Sequence, residues 1–131
     1  MRKTLNEYRD EAFFYAEQNG FHEDPVNFGE RLMLVVSECA EALEADRSGK
    51  WVGDLSKVIL GDLPLAALTP QSLGEDFYQK YVRGSAEEEI ADAMIRLFDI
   101  AGIYNINLDW HVQAKMEYNK TRPYKHGKRY G

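Results

Sequence analysis

An all-α fold follows from three observations on this sequence. Four stretches carry apolar side chains at helical spacing between recognisable helix starts and stops. No run alternates apolar and polar side chains for long enough to make a strand. Residues 86–104 are apolar around roughly three quarters of a helical circumference, as expected of a helix buried in a bundle or an oligomer. The simplest arrangement is a four-helix bundle, with residues 1–131 forming one domain.

The first helix is expected over residues 4–18. Thr4 and Glu7 have the spacing of a capping box, and Asn19-Gly20 is a stop signal. A loop containing Pro25 follows. The second helix is expected over residues 28–47, ending at Ser48-Gly49. From residue 50 to 85 the pattern weakens, punctuated by Gly53, Gly61, Pro64, Pro70, Gly74 and Gly84. This irregular insert has room for a short helix over residues 75–82. The third main helix covers residues 86–104. Asn107 is a good N-cap for the fourth, over residues 108–121, and Pro123 stops it. Residues 123–131 form a basic tail.

Composition narrows the function. No run of about 20 apolar residues exists, which excludes a helical membrane span. The N-terminus has no apolar leader core, so a cytoplasmic address is expected. Cys39 has no partner for an intrachain disulfide. It falls on the apolar stripe Leu32, Val35, Val36, Cys39 and Leu43, and is expected to be a buried small hydrophobe. Net charge is −6, unevenly spread. Residues 115–131 carry six basic side chains against one acid, leaving −11 on the residues before them. So acidic a body is not expected to bind nucleic acid directly.

Two acidic pairs carry the chemistry: Glu38-Cys39-Ala40-Glu41 and Glu89-Ile90-Ala91-Asp92. Carboxylates three apart lie on one face of a helix. On the third helix, Glu89, Asp92, Arg96 and Asp99 share one narrow polar strip, which must face a polar interior if the rest is buried. Buried carboxylates need pairing or a metal, and oxygen ligands of this kind hold Mg²⁺. The expectation is that Glu38, Glu41, Glu89 and Asp92 form a metal site. Structural salt bridging is the alternative. Lys115, Asn119 and Arg122 share a face of the fourth helix, with Lys125 beyond. Lys and Arg donate to phosphate oxygens, so this face suits a polyphosphate whose other side a metal neutralises. Each of these residues taken alone reads as ordinary surface.

Taken in order, the set resembles the MazG-like, all-α nucleoside triphosphate pyrophosphohydrolases. Glu-x-x-Glu on one helix and Glu-x-x-Asp on a later one precede Lys-x-x-x-Asn-x-x-Arg. The similarity is strongest from Glu87 to Gly127, and it covers residues 28–48 and 86–128. The resemblance implies hydrolysis of a (deoxy)nucleoside triphosphate to the monophosphate and pyrophosphate, in nucleotide-pool housekeeping. It implies Mg²⁺, or Mn²⁺ in its place, held by Glu38, Glu41, Glu89 and Asp92. It also implies phosphate contacts from Lys115, Asn119 and Arg122. Homodimers or homotetramers, in which subunits complete shared helical bundles, are implied as well.

Ser37 stands where family members often carry a further Glu that is the proposed base. Water activation then falls to a metal-bound hydroxide or to a ligand carboxylate with two roles, which makes Glu38 and Glu41 the expected catalytic residues. Asp99 fits either a second metal or an ion pair with Arg96. Trp51 is the expected base-stacking side chain, with Phe28, Phe77 and Tyr81 as further candidates and core packing as the other reading of each. Rival functions are a non-catalytic helical interaction module and a phosphoribosyl-ATP pyrophosphohydrolase, whose substrate carries the same triphosphate. A di-iron bundle would need Glu-x-x-His pairs, which neither Glu38 nor Glu89 begins.

Overall fold

The computed structural model describes residues 2–53 and 74–123, and among these every regular element is a helix. They are α1 (Leu5–Gln18), α2 (Phe28–Arg47), α3 (Glu75–Tyr81), α4 (Ala86–Ile103) and α5 (Leu108–Lys120). Most of the irregular insert, residues 54–73, and residues 124–131 of the basic tail, Lys125 among them, lie outside the described residues. No helix among those described is long and apolar enough to cross a membrane.

The helix starts follow local side-chain chemistry. Thr4 caps α1, accepting from Glu7 N at 3.1 Å while Glu7 accepts from Thr4 N at 3.0 Å, so two otherwise orphaned donors are satisfied at once. Asn27 caps α2 through Glu30 N at 2.8 Å, and Asn107 caps α5 through Trp110 N at 3.1 Å. After α1 and α2 the chain turns through Gly20 and Gly49 at positive φ, which glycine adopts without a Cβ penalty.

The chain forms two compact units, residues Asn27–Arg96 and residues Met1–Val26 with Leu97–Gly131. Within the second, α1 and α5 cap each other. The Asp109 carboxylate accepts from Leu5 N at 3.0 Å and Asn6 N at 3.3 Å, and Asn6 Oδ1 accepts from Leu108 N at 2.9 Å. Arg9 reaches the Ile106 carbonyl at 2.9 Å, and the Tyr8 and Phe98 rings stack. Gly102 sits so close to α1 that a Cβ there would lie 2.7 Å from Phe13 Cβ. Ile100 and Ala101 are buried in this unit, and Ala45, Ala86 and Ala93 in the other.

The apolar stripe expected on α2 is not the face that is buried. Leu32 and Val35 are half-buried, but Val36, Leu43 and Cys39 are exposed. The covered face instead runs through Arg31, Val35, Glu38, Ala42 and Ala45, at helical spacing. That face carries a carboxylate with partners on α4, and turning it inward swings Cys39 outward. On α4, Ile90, Met94, Ile95 and Leu97 are likewise exposed, so its nearly all-round apolar surface is only partly covered.

Candidate metal centre

The centre is built from α2 and the first half of α4, both within the unit Asn27–Arg96. Three consecutive glutamates open α4, and the backbone divides their tasks. Glu88 N donates to Ser85 Oγ at 3.1 Å, and the Glu88 carboxylate takes Gly84 N at 2.8 Å and the Tyr78 hydroxyl at 2.5 Å. The Glu87 carboxylate accepts from Val52 N at 2.9 Å and Gly53 N at 3.0 Å, while Ala86 N donates to the Lys50 carbonyl at 2.8 Å. Burial opposes the charge on Glu87, but these backbone donors outweigh it and hold its carboxyl below the usual range. Glu87 and Glu88 thus secure the start of α4, and Glu89 is left to face α2.

Glu38, Glu89 and Asp92 bring one oxygen each to within 4.8 Å of one another. Glu38 is the buried charged side chain among the described residues. Arg96, one turn beyond Asp92, donates from Nε to Glu38 Oε1 at 3.0 Å. Burial raises the Glu38 carboxyl, yet the hydrogen bonds from Arg96 and from Glu89 prevail and hold it below the ordinary value. Glu89 goes the other way. Burial, and then the adjoining carboxyls of Glu41 and Glu38, push it up to about 7. Burial and the charges of Glu38 and Glu88 also raise Asp92. One oxygen of Glu89, Oε2, is buried with no donor. Ionised carboxylates only accept, so this oxygen needs a proton on the cluster or a cation from outside.

Three carboxylates against one guanidinium leave the cluster anionic, and hard oxygen donors in such a set suit a divalent cation. Glu41 lies against Glu38 and Glu89 but is exposed and stands outside the converging set of three. No family model, curated protein or solved structure matches this chain. The chemistry of the centre therefore rests on its own residues.

The other candidate residues have distinct surroundings. Asp99 pairs with neither Arg96 nor the acidic cluster. Its Oδ1 lies 2.8 Å from His22 Nε2, and Glu17 holds the other ring nitrogen. The Phe13 ring packs 4.8 Å from the imidazole. Burial lowers the His22 pKa, but the bonds from Glu17 and Asp99 outweigh it and raise the value. Lys115 and Arg122 both reach the Tyr118 ring, at 5.0 and 5.7 Å from its centroid, but α5 ends at Lys120, so Arg122 lies just beyond the helix rather than on its face. Asn119 between them has its Oδ1 buried without a donor. This face belongs to the other unit. Trp51 is exposed, its indole N–H held by Asp46 at 2.9 Å. Phe28 is exposed too, whereas Phe77 packs against Tyr81 at 5.1 Å.

Sequence reasoning missed two of these contacts. Arg96 shares the polar strip of Glu89 and Asp92 at i+4 from Asp92, and that spacing was the available signal. His22 carried none, because its partner Asp99 is distant in the chain.

Proposed function

We propose that this chain is a Mg²⁺-dependent nucleoside triphosphate pyrophosphohydrolase of the MazG-like kind, releasing pyrophosphate from a (deoxy)nucleoside triphosphate in the cytoplasm. The observation that carries the reading is the convergence of Glu38, Glu89 and Asp92, together with a buried oxygen of Glu89 that has no donor. Arg96 reaches Glu38 and leaves that oxygen to a proton or a metal ion, and at a pH where Glu89 ionises the metal is the remaining partner.

Bound there, Mg²⁺ would neutralise triphosphate charge and lower the pKa of water. Glu38, Glu89 and Asp92 are its ligands, and exposed Glu41 completes the set or accepts the water proton. Lys115, Asn119 and Arg122 are the phosphate-binding residues, with Arg122 offering a planar fork. Trp51, presenting an exposed ring with its N–H already bonded, is the base-stacking candidate. The exposed apolar side chains Met33, Leu34, Val36 and Leu43 on α2, with Ile90, Met94 and Ile95 on α4, are the surface through which copies form a homodimer or homotetramer.

The test is pyrophosphate release from a panel of NTPs and dNTPs, with Mg²⁺ and with EDTA. Glu38→Gln should lower the metal-dependent rate by roughly two to three orders of magnitude, the scale of losing a charge-stabilising group. No release from any nucleotide by the folded wild type would overturn the reading and favour the interaction module. Release from phosphoribosyl-ATP alone would reassign the substrate.

A further inference from the structure

We propose that Arg96 is the resident counter-cation of the acidic centre, and that a divalent metal ion enters by displacing its guanidinium from Glu38. The inference rests on the metal reading above and adds how that site is regulated. Arg96 projects from the same strip of α4 as Glu89 and Asp92, at i+7 and i+4. Its Nε donates to Glu38 Oε1 at 3.0 Å, which engages one of the oxygens a metal needs.

The two partners differ in their access to water. The Glu38 side chain is 12% exposed and the Arg96 side chain 42%. Glu38 therefore cannot regain hydration if its partner leaves, and needs a replacement cation. Arg96 can withdraw into water at lower cost, because its side chain is already partly exposed. A buried carboxylate with an exchangeable, half-solvated cation is suited to substitution of one positive charge by another.

Removing the guanidinium should then have two effects of opposite sign. Without metal, Glu38 loses its compensating charge beside Glu89 and Asp92, and the fold weakens. With metal, the competitor is gone and binding tightens. A charge-assisted bond to a half-exposed arginine is modest, so the expected tightening is about three- to tenfold. An arginine that stayed on Glu38 would also repel the ion, so displacement itself is read from the fate of its Nε–H bond.

Isothermal titration with Mn²⁺ and thermal melts with and without Mg²⁺ test this on wild type, Arg96→Met and Arg96→Lys. The expected result is a three- to tenfold lower Mn²⁺ Kd for Arg96→Met, a lower metal-free Tm and a larger rise of Tm with Mg²⁺. Arg96→Lys, which keeps the charge, should stay nearer wild type. An unchanged or weaker Kd for Arg96→Met, with normal binding by wild type, would overturn the competitor role while leaving the metal site standing. No Mn²⁺ binding by either protein would overturn both. If Arg96→Met fails to fold, wild type still decides the matter by NMR. The Arg96 Nε–H should be protected from exchange without metal and lose that protection with saturating Mg²⁺, and persistent protection would refute displacement.

Discussion

Replacing Glu89 by Gln in the metal-free protein should stabilise it, and by an amount that grows with pH. Burial and the Glu41 and Glu38 carboxyls push Glu89 from 4.5 up to about 7. Between those values the folded chain holds a proton that the unfolded chain has released. The stability tied to this proton is therefore fully present below the unfolded value of 4.5, and it is lost as pH rises through about 7. At 1.36 kcal/mol per pH unit, that span corresponds to about 3 kcal/mol once Glu89 is ionised in both states. Water still reaches this half-buried group and screens it, so about 1–2 kcal/mol is the expected gain. Gln has nearly the same shape, carries no charge, and supplies a donor to the neighbouring carboxylates. Urea unfolding with EDTA measures the effect: Glu89→Gln should be about 1–2 kcal/mol more stable than wild type at about pH 8, and nearly equal to it near pH 4.5. Equal effects at both pH values, or a loss at the higher one, would refute the description of Glu89 as a carboxyl pressed against others.

Gly102→Ala should destabilise the chain despite alanine's helix propensity, because the new Cβ would stand 2.7 Å from Phe13 Cβ. Overpacking of about 1–3 kcal/mol exceeds the helical gain of about 1 kcal/mol, and a lower urea midpoint is the readout. His22→Gln should cost about 1 kcal/mol or more near pH 6 and less near pH 9. Protonated His22 between Glu17 and Asp99 contributes stability that is full below the ordinary 6.5 and lost as pH rises through its raised value. NMR titration of the His22 ring in wild type and Asp99→Asn checks the cause, since the substitution should bring its midpoint down. Light scattering should give a dimer or tetramer, and Met94→Asp on the exposed face of α4 should reduce its mass.

The helices were legible in the sequence because their ends depend on near neighbours. Thr4 with Glu7 and Asn107 with Trp110 act within one turn, and Gly20 and Gly49 end their helices by backbone geometry alone. The meeting of Glu38 with Glu89 and Asp92 was legible for a similar reason, since spacing puts each pair on one face and charge demands a partner. What spacing does not encode is which side chain reaches across. Asp99 has Arg96 in its own turn of α4, yet pairs with His22, while Arg96 reaches Glu38 instead. Cys39 shows the same limit. Its stripe is more apolar than the covered face of α2, which carries Arg31 and Glu38, and apolar spacing alone does not point to a face whose carboxylate has its partners on another helix. The phosphate-binding role proposed for Lys115, Asn119 and Arg122 was read from spacing and from the family resemblance.

Whether Glu38, Glu89 and Asp92 hold a divalent cation is decided by a crystal soaked in Mn²⁺ and measured for anomalous scattering. The expected result is a peak bonded to oxygens of all three residues, with the Arg96 guanidinium moved off Glu38. A map in which Arg96 remains on Glu38 and no peak touches the three carboxylates would contradict it.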